Sequence, residues 1–298
     1  MRSSRIYVFL LLMWGLFSSC ISEDYSNCSN RYVVDLSYTG DGKDEIFPDK
    51  INNVRMYIFD EVNSCIYQTQ LTDQEVKAQR TLLPPMEEGD YRIVFLGNPH
   101  STEVRGLTDC TGFDDVLFGS EDYWEGRTVS GEDSLYLASV HQTILPFSSE
   151  RQVSYSLAHF AASHYDVSVE VFGVPSDALT IVLTGVSPYT DFNNVAASDR
   201  ETTFVLESEH DGVSKVTARC NIMRHLDHEN VYLKVLDTDG NEMASVCFAD
   251  FLRENSEYID CTRNEVHIPF KIEFKSLSDV VVSLPDWWVI HVNPDFEC

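Results

Sequence analysis

VHIPFKIEF, residues 266–274, sets Val266, Ile268, Phe270, Ile272 and Phe274 at every second position. Side chains along a strand point alternately to its two faces, so this spacing predicts a half-buried strand with one apolar face. Val231, Leu233 and Val235 repeat the pattern. A polar turn over 237–241 then leads to an apolar run over 243–248, which predicts an antiparallel hairpin. Working outward, RYVVDLSY (31–38), NVRMYIFD (53–60), SCIYQTQ (64–70) and DYRIVFLG (90–97) predict further strands, as do segments 165–172, 178–185, 202–206 and 213–220. Helical expectations are few and short: 73–80, 113–118 and 157–164. Short strands separated by regular turn signals predict an all-β chain of β-sandwiches. Turn and linker residues over 146–151 divide it into an N-terminal sandwich over 31–148 and a C-terminal one over 149–298.

The first residues belong to no fold. Arg2 and Arg5 precede an unbroken apolar or small run, IYVFLLLMWGLF (6–17). About a dozen such residues are too few for a bilayer core, which needs ~20, but they suit a secretory signal peptide over 1–19. Phe17-Ser18-Ser19-Cys20 resembles the bacterial lipobox, with Phe17 where Leu is usual. That resemblance implies a diacylglyceryl group on Cys20, followed by a tether over 20–30. Each buried CH₂ contributes ~0.8 kcal/mol, so several acyl chains hold a protein on a membrane without a spanning helix. Ser22, Glu23 and Asp24 look like the acidic surface-export signal of Bacteroidetes lipoproteins, which implies the outer face of the outer membrane. A plain solvated tether is the alternative reading of those residues.

The chain has 298 residues and a formal charge of −27, and removal of Arg2 and Arg5 with the signal makes it more acidic still. Such a chain repels nucleic acid and anionic lipid. A hydrophobic content of 43% provides for a substantial core. Lipidation of Cys20 leaves Cys28, Cys65, Cys110, Cys220, Cys247, Cys261 and Cys298, an odd set with at least one free or intermolecular thiol. No CxxC motif supports a zinc ribbon or a dithiol redox site.

Candidate chemistry is weak throughout. RHLDHEN (224–230) gathers His225, Asp227, His228 and Glu229, but the HExxH pattern of a zincin is missing, so a solvated turn is the better reading. DTDGNE (237–242) carries Glu242 where a calcium loop needs Gly, and Asp239-Gly240 fits a hairpin turn. Glu87, Glu88 and Asp90 follow Pro84-Pro85 and read as solvated carboxylates rather than a glycosidase pair. GxSxG, GxGxxG and GxxxxGK[ST] are all absent. No catalytic residue, metal site or cofactor is expected.

LLPPMEEGDYRIVFLGN (82–98) resembles the LPxGxY…GN segment of the FimB-like fimbrial anchor family of Bacteroidales, slightly stretched before Gly89. The Cys20 to Cys28 start, VRMYIFD (54–60), DDVLFG (114–119), LTIVLTGVSPYTDFNN (179–194) and LPDWWVIHVNPDF (284–296) resemble other pieces of that family in the same order, the last as its final strand. The resemblance implies a non-enzymatic protein of two tandem transthyretin-like, Greek-key sandwiches. It implies a role at the base of a fimbrium, holding the stalk subunits to the outer membrane and limiting the polymer's length, with donor-strand pairing between subunits. Such an anchor keeps residues 32–38 paired in its own sheet and meets its partner at another edge. The strand-like segment 280–292, with Trp287, Trp288, Val289 and Ile290, is the candidate contact; ordinary core and rim packing of the two tryptophans is the alternative. A surface glycan-binding β-sandwich lipoprotein, using exposed Trp124, Trp287 or Trp288, is the second functional reading. Replacing Cys20 by Ala is expected to move the protein from the outer-membrane fraction to the soluble one, read by fractionation and immunoblotting; continued membrane partitioning would refute lipidation at this residue.

Overall fold

A computed structural model describes residues 31–108, 112–146, 152–173, 179–225, 228–276 and 279–292. The signal segment, Cys20, Ser22, Glu23, Asp24, Cys28, Cys110, Asp227, Cys298 and most of the 146–151 linker lie outside the described residues. The chain is mostly strand, as the alternation predicts. In the first sheet pair, β1 (Arg31–Ser37) lies between β4 (Arg80–Leu82) and β9 (Val153–His159). Facing it is a five-stranded sheet of order β10-β8-β5-β2-β3, made of β2 (Val54–Phe59), β3 (Cys65–Gln70), β5 (Gly89–Gly97), β8 (Tyr136–Ile144) and β10 (Ala161–Ala162). Val34 and Leu36 of β1 close on Met56, Ile58, Ile93 and Phe95 between them.

That larger sheet is covered on its other face too. Tyr57, Phe59, Val94 and Leu96 pack outward against Phe118 and Phe192, beside a small sheet of order β13-β7-β6 formed by β6 (Thr102–Arg105), β7 (Leu117–Ser120) and β13 (Thr190–Asp191). Burial on both faces explains why MYIF and RIVFLG read as continuous apolar runs rather than alternating ones.

The second pair joins a sheet of order β15-β16-β11-β19-β20 to one of order β14-β12-β17-β18. The first contains β11 (His164–Phe172), β15 (Ser208–His210), β16 (Lys215–Met223), β19 (His267–Ser276) and β20 (Asp279–Ser283). The second contains β12 (Thr180–Val186), β14 (Thr202–Leu206), β17 (Tyr232–Leu236) and β18 (Glu242–Cys247). The opening motif is β19, and Ile268, Phe270 and Ile272 are fully buried. Phe251 stacks on Phe270 at 4.1 Å between ring centroids. Between β17 and β18, the Asp237 carboxylate accepts from the Asp239 and Asn241 amides and Gly240 takes φ +81°, as a tight turn requires.

Five short helices fill gaps: α1 (Phe47–Lys50), α2 (Asp73–Ala78), α3 (Glu121–Trp124), α4 (Phe248–Glu254) and α5 (Asp286–Val292). The expected helix over 73–80 is α2, opened by a capping box between Thr72 and Glu75. The helices expected over 113–118 and 157–164 are turn and strand instead. Phe113 and Val116 have helical spacing, but both carbonyls accept the Phe192 amide from another part of the chain. Residues 153–159 form β9, parallel to β1. This pairing carries the first sheet pair past the expected 148/149 division, and Ala158, Phe160 and Ala162 all lie in the first core.

The two sheet pairs are sewn together. Val129 bridges to Phe204, and the Glu132 amide donates to the Asn221 carbonyl at 2.9 Å. The Glu132 side chain is buried here, near Asp122 and Asp133. Burial, reinforced by the Asp133 charge, pushes its pKa well above the usual carboxylate range, and the nearby Ser120 amide offsets this only in part. A raised folded-state pKa means the protonated acid favours the fold; its contribution is complete below the unfolded value of ~4.3 and declines as pH rises through the folded one. Glu132→Gln, neutral at every pH, is therefore expected to stabilise the protein by about 1–3 kcal/mol at pH 7–8 and by little below pH ~4, measured by thermal melts across pH.

Candidate subunit interface

Strand β1 is held on both sides. It runs antiparallel to β4, from Val33 opposite Leu82 to Asp35 opposite Arg80, and parallel to β9, from Arg31 opposite Val153 to Ser37 opposite His159. Its inward residues, Tyr32, Val34 and Leu36, are buried, and the Leu36 amide donates to the Gln79 carbonyl at 2.8 Å. Residues 32–37 are thus paired inside the chain's own sheet, and Tyr38 follows in a buried position. The Tyr38 hydroxyl donates to Glu265, which also pairs with Lys50. Burial and the Glu265 carboxylate raise the Tyr38 pKa, so the phenol keeps its proton and remains a donor. From the other side, Asp41 accepts from the Asn264 and Glu265 amides at 2.8 and 3.1 Å. The end of β1 is clasped to the second sheet pair.

Other edges are open. Among the described residues no strand pairs with the outer edge of β9 or of β20. On β9 the side chains of Val153, Tyr155 and Leu157 are 50%, 63% and 60% exposed. Strand β20 runs antiparallel to β19, with Val282 opposite Ile272 and 37% exposed. An unpaired edge presents N–H and C=O groups that another strand can satisfy.

The expected final strand over 284–296 is not formed where the structure describes it: Asp286–Val292 is α5. Pro285 just before it and Asp286 in its first turn are a helix start signal. Of the four candidate contact residues, Trp288 and Val289 pack against the second core, Trp287 is 47% exposed, and Ile290 lies further along α5. Lys271 reaches Asp286 at 3.6 Å, tying the helix start to β19. The strand-like part of 280–292 is therefore β20 alone, and the aromatic pair belongs to the helix beside it.

The remaining candidates scatter. Trp124 is covered, stacked on Tyr189 at 5.3 Å with the Arg105 guanidinium 4.6 Å over its ring. His225 accepts the Ser187 amide at 2.7 Å. No cluster of three or more His, Cys, Asp or Glu residues able to hold a metal occurs among the described residues. Glu61 accepts the Asp90 amide and Thr143 donates to the Asp90 carboxylate, so Asp90 is tied into the start of β5. Cys220, Cys247 and Cys261 are free thiols; burial pushes Cys220 up to about 12, making it an inert apolar filler. Sequence reading missed β9, whose apolar residues alternate on the exposed face, and the Tyr38–Glu265 clasp, which no local pattern announces.

Facing β-sheets, an internally paired first strand and free strand edges define a structural β-sandwich protein suited to joining other chains. Residues 25–293 match the family described as fimbrillin-A associated anchor proteins Mfa1 and Mfa2, and the chain belongs to that family. The fimbrial anchor protein Mfa2 from Porphyromonas gingivalis has a similar fold, with TM-score 0.66 and 17% identity over 86% of this chain and 95% of that one. A candidate adhesin from Bacteroides ovatus gives 0.67 at 13% identity, covering 87% and 94%. The major fimbrium anchoring subunit FimB of Porphyromonas gingivalis (strain ATCC 33277) is 25% identical over 117 residues, which is 38% of this chain and only 38% of that relative's length. If β1 is seated as described, Leu36→Ala should cost about 2–5 kcal/mol. Val33→Ala on the opposite face should cost about 0.5 kcal/mol. Urea unfolding measures both, and equal costs would contradict the assigned facing.

Proposed function

We propose that this protein is the lipid-tethered base of a fimbrium. Cys20 carries the acyl chains, Ser22, Glu23 and Asp24 direct the protein to the outer face of the outer membrane, and the body ends the polymer there and limits its length. The two sheet pairs act as tandem transthyretin-like domains, dividing after Ala162 rather than at 148/149. The stalk subunit joins by strand pairing, and β20 with the adjoining α5 is the contact.

One observation carries this reading: β1 is paired on both sides while β20 ends its sheet. A polymerising subunit linked by strand exchange must offer a vacant strand position. A chain whose own first strand fills that position stops growth in one direction, and its lipid holds it. Growth in the other direction needs an edge that β1 does not occupy, and β20 is the edge of a sheet in the other pair. Membership of the anchor family supports the role independently. No catalytic residue is required of such a protein.

A photoreactive amino acid at position 282, activated on intact cells, is expected to capture a fimbrial stalk subunit, whereas the same group at position 62, on the exposed Asp60–Asn63 turn, captures none. Lysine at position 282 should give longer fimbriae shed into the medium. Capture from position 155 on β9 but not from 282 would move the contact to the other open edge and overturn its assignment to β20.

A further inference from the structure

The outer face of the β15-β16-β11-β19-β20 sheet carries a feature that strand pairing at the β20 edge does not need. In a two-sheet sandwich this face is ordinarily bathed in water. Here α5 folds beside it, and the Trp287 ring stands at the side of a groove of about 600 Å³. The ring is fixed from two directions. His267 lies 5.8 Å away at a shallow 33° tilt, and Trp288 meets it edge-on at 6.0 Å. Trp288 is in turn packed on the second core. A large aromatic surface that is half exposed yet held rigid is ready for contact at small entropic cost.

The groove floor is polar and carries both donors and acceptors. Ser168 on β11 lies opposite Arg219 on β16, and Glu170 lies opposite Thr217, which lies opposite Glu209 on β15. The Arg219 guanidinium is forked to Asp166 at 2.8 and 2.6 Å, which fixes its plane. The Ser168 hydroxyl is 2.7 Å from His267 Nε2, and Lys215 holds Glu170 at 2.7 Å. Burial keeps the His267 pKa below its ordinary value, with Asp166 opposing, so the ring is neutral at pH 7.

Charge selects among ligands. The carboxylates of Glu170, Glu207 and Glu209 line the groove and repel an anion, as does the chain's charge of −27. Lys215 and Arg219 hold Glu170 and Asp166 in ion pairs, which takes two of the acidic groups near the groove away from a cation. What remains is a neutral molecule with hydroxyls that both donate and accept, and with an apolar C–H face for the indole. We infer that this groove is a binding site for a neutral carbohydrate chain, with Trp287 as the stacking platform and Thr217, Arg219 and Glu209 addressing sugar hydroxyls. The groove shares α5 with the proposed stalk contact but not the β20 edge, so capture from position 282 tests the edge and retardation of the Trp287 and Glu209 variants tests the groove.

The test is native affinity electrophoresis of the full chain in mild detergent, in gels containing yeast mannan, galactomannan, xyloglucan or glycogen, with alginate and heparin as anionic comparisons. At least one neutral polysaccharide should retard the protein, and neither anionic one should. Trp287→Ala should weaken retardation about tenfold or more, with an unchanged melting temperature. Glu209→Gln, an exposed change on β15 that leaves α5 intact, should weaken it as well. Migration unaffected by all four neutral polysaccharides would overturn the inference. Retardation confined to alginate or heparin would do the same, as would wild-type binding by both variants.

Discussion

Occupation of the central position in the β4-β1-β9 sheet by the chain's own β1 is the constraint on which the rest depends. Without β1, Val34 and Leu36 would leave a slot over Met56 and Phe95, and β4 and β9 would each lose their only described neighbour. The parallel partner β9 arrives from more than a hundred residues away, so the first sheet cannot close until most of the chain is present. Such non-local pairing is intrinsically slow to form. Once formed, it leaves no vacant strand position between β4 and β9.

The second consequence is rigidity between the two sheet pairs. Tyr38 at the end of β1 binds Glu265 just before β19, and Asp41 takes the backbone amides of Asn264 and Glu265. Val129, Glu132 and Asn221 add a second seam, and Phe192 with Met223 a third, inside the outer core of the first pair. Each seam joins the two halves by directed hydrogen bonds or apolar packing, so the halves are poorly placed to pivot. In the proposed anchor role, a stiff body would keep the tether in register with the polymer.

Much of the architecture was legible in the primary structure, for a plain reason. Residues 266–274, 231–235 and 165–172 alternate because one face of each strand meets the core and the other meets water. Where that condition failed, reading failed. In β9 the apolar residues point outward and small Ser154 and Ser156 point inward, which inverted the usual signal. Phe113 and Val116 mimicked a helix because two turn residues happened to enter the same pocket beside Phe192. In 286–292 the β-branched and aromatic content outweighed Pro285 and Asp286, although the proline and the acid mark a helix start. The secondary structure of 280–292 was half legible: its first part is strand β20, but the tryptophans next to it are helical. The groove beneath Trp287 was not legible, since it needs β11, β15, β16 and α5 brought together from four separate parts of the chain.

The direction of β1 has a mechanical meaning. A pull applied at Arg31 along the axis of β1 loads the strand lengthwise, not across it. The ladder from Arg31–Val153 to Ser37–His159 would then be strained in shear, all of its bonds at once, with the β4 ladder sharing the strain on the other side. Peeling a strand from a free edge breaks bonds in turn and needs little force; sliding a flanked strand breaks them together. Resistance to flow would thus be set by an unfolding rate and not by equilibrium stability. In the proposed anchor role, drag on the filament would load the fold in the geometry where hydrogen bonds yield last.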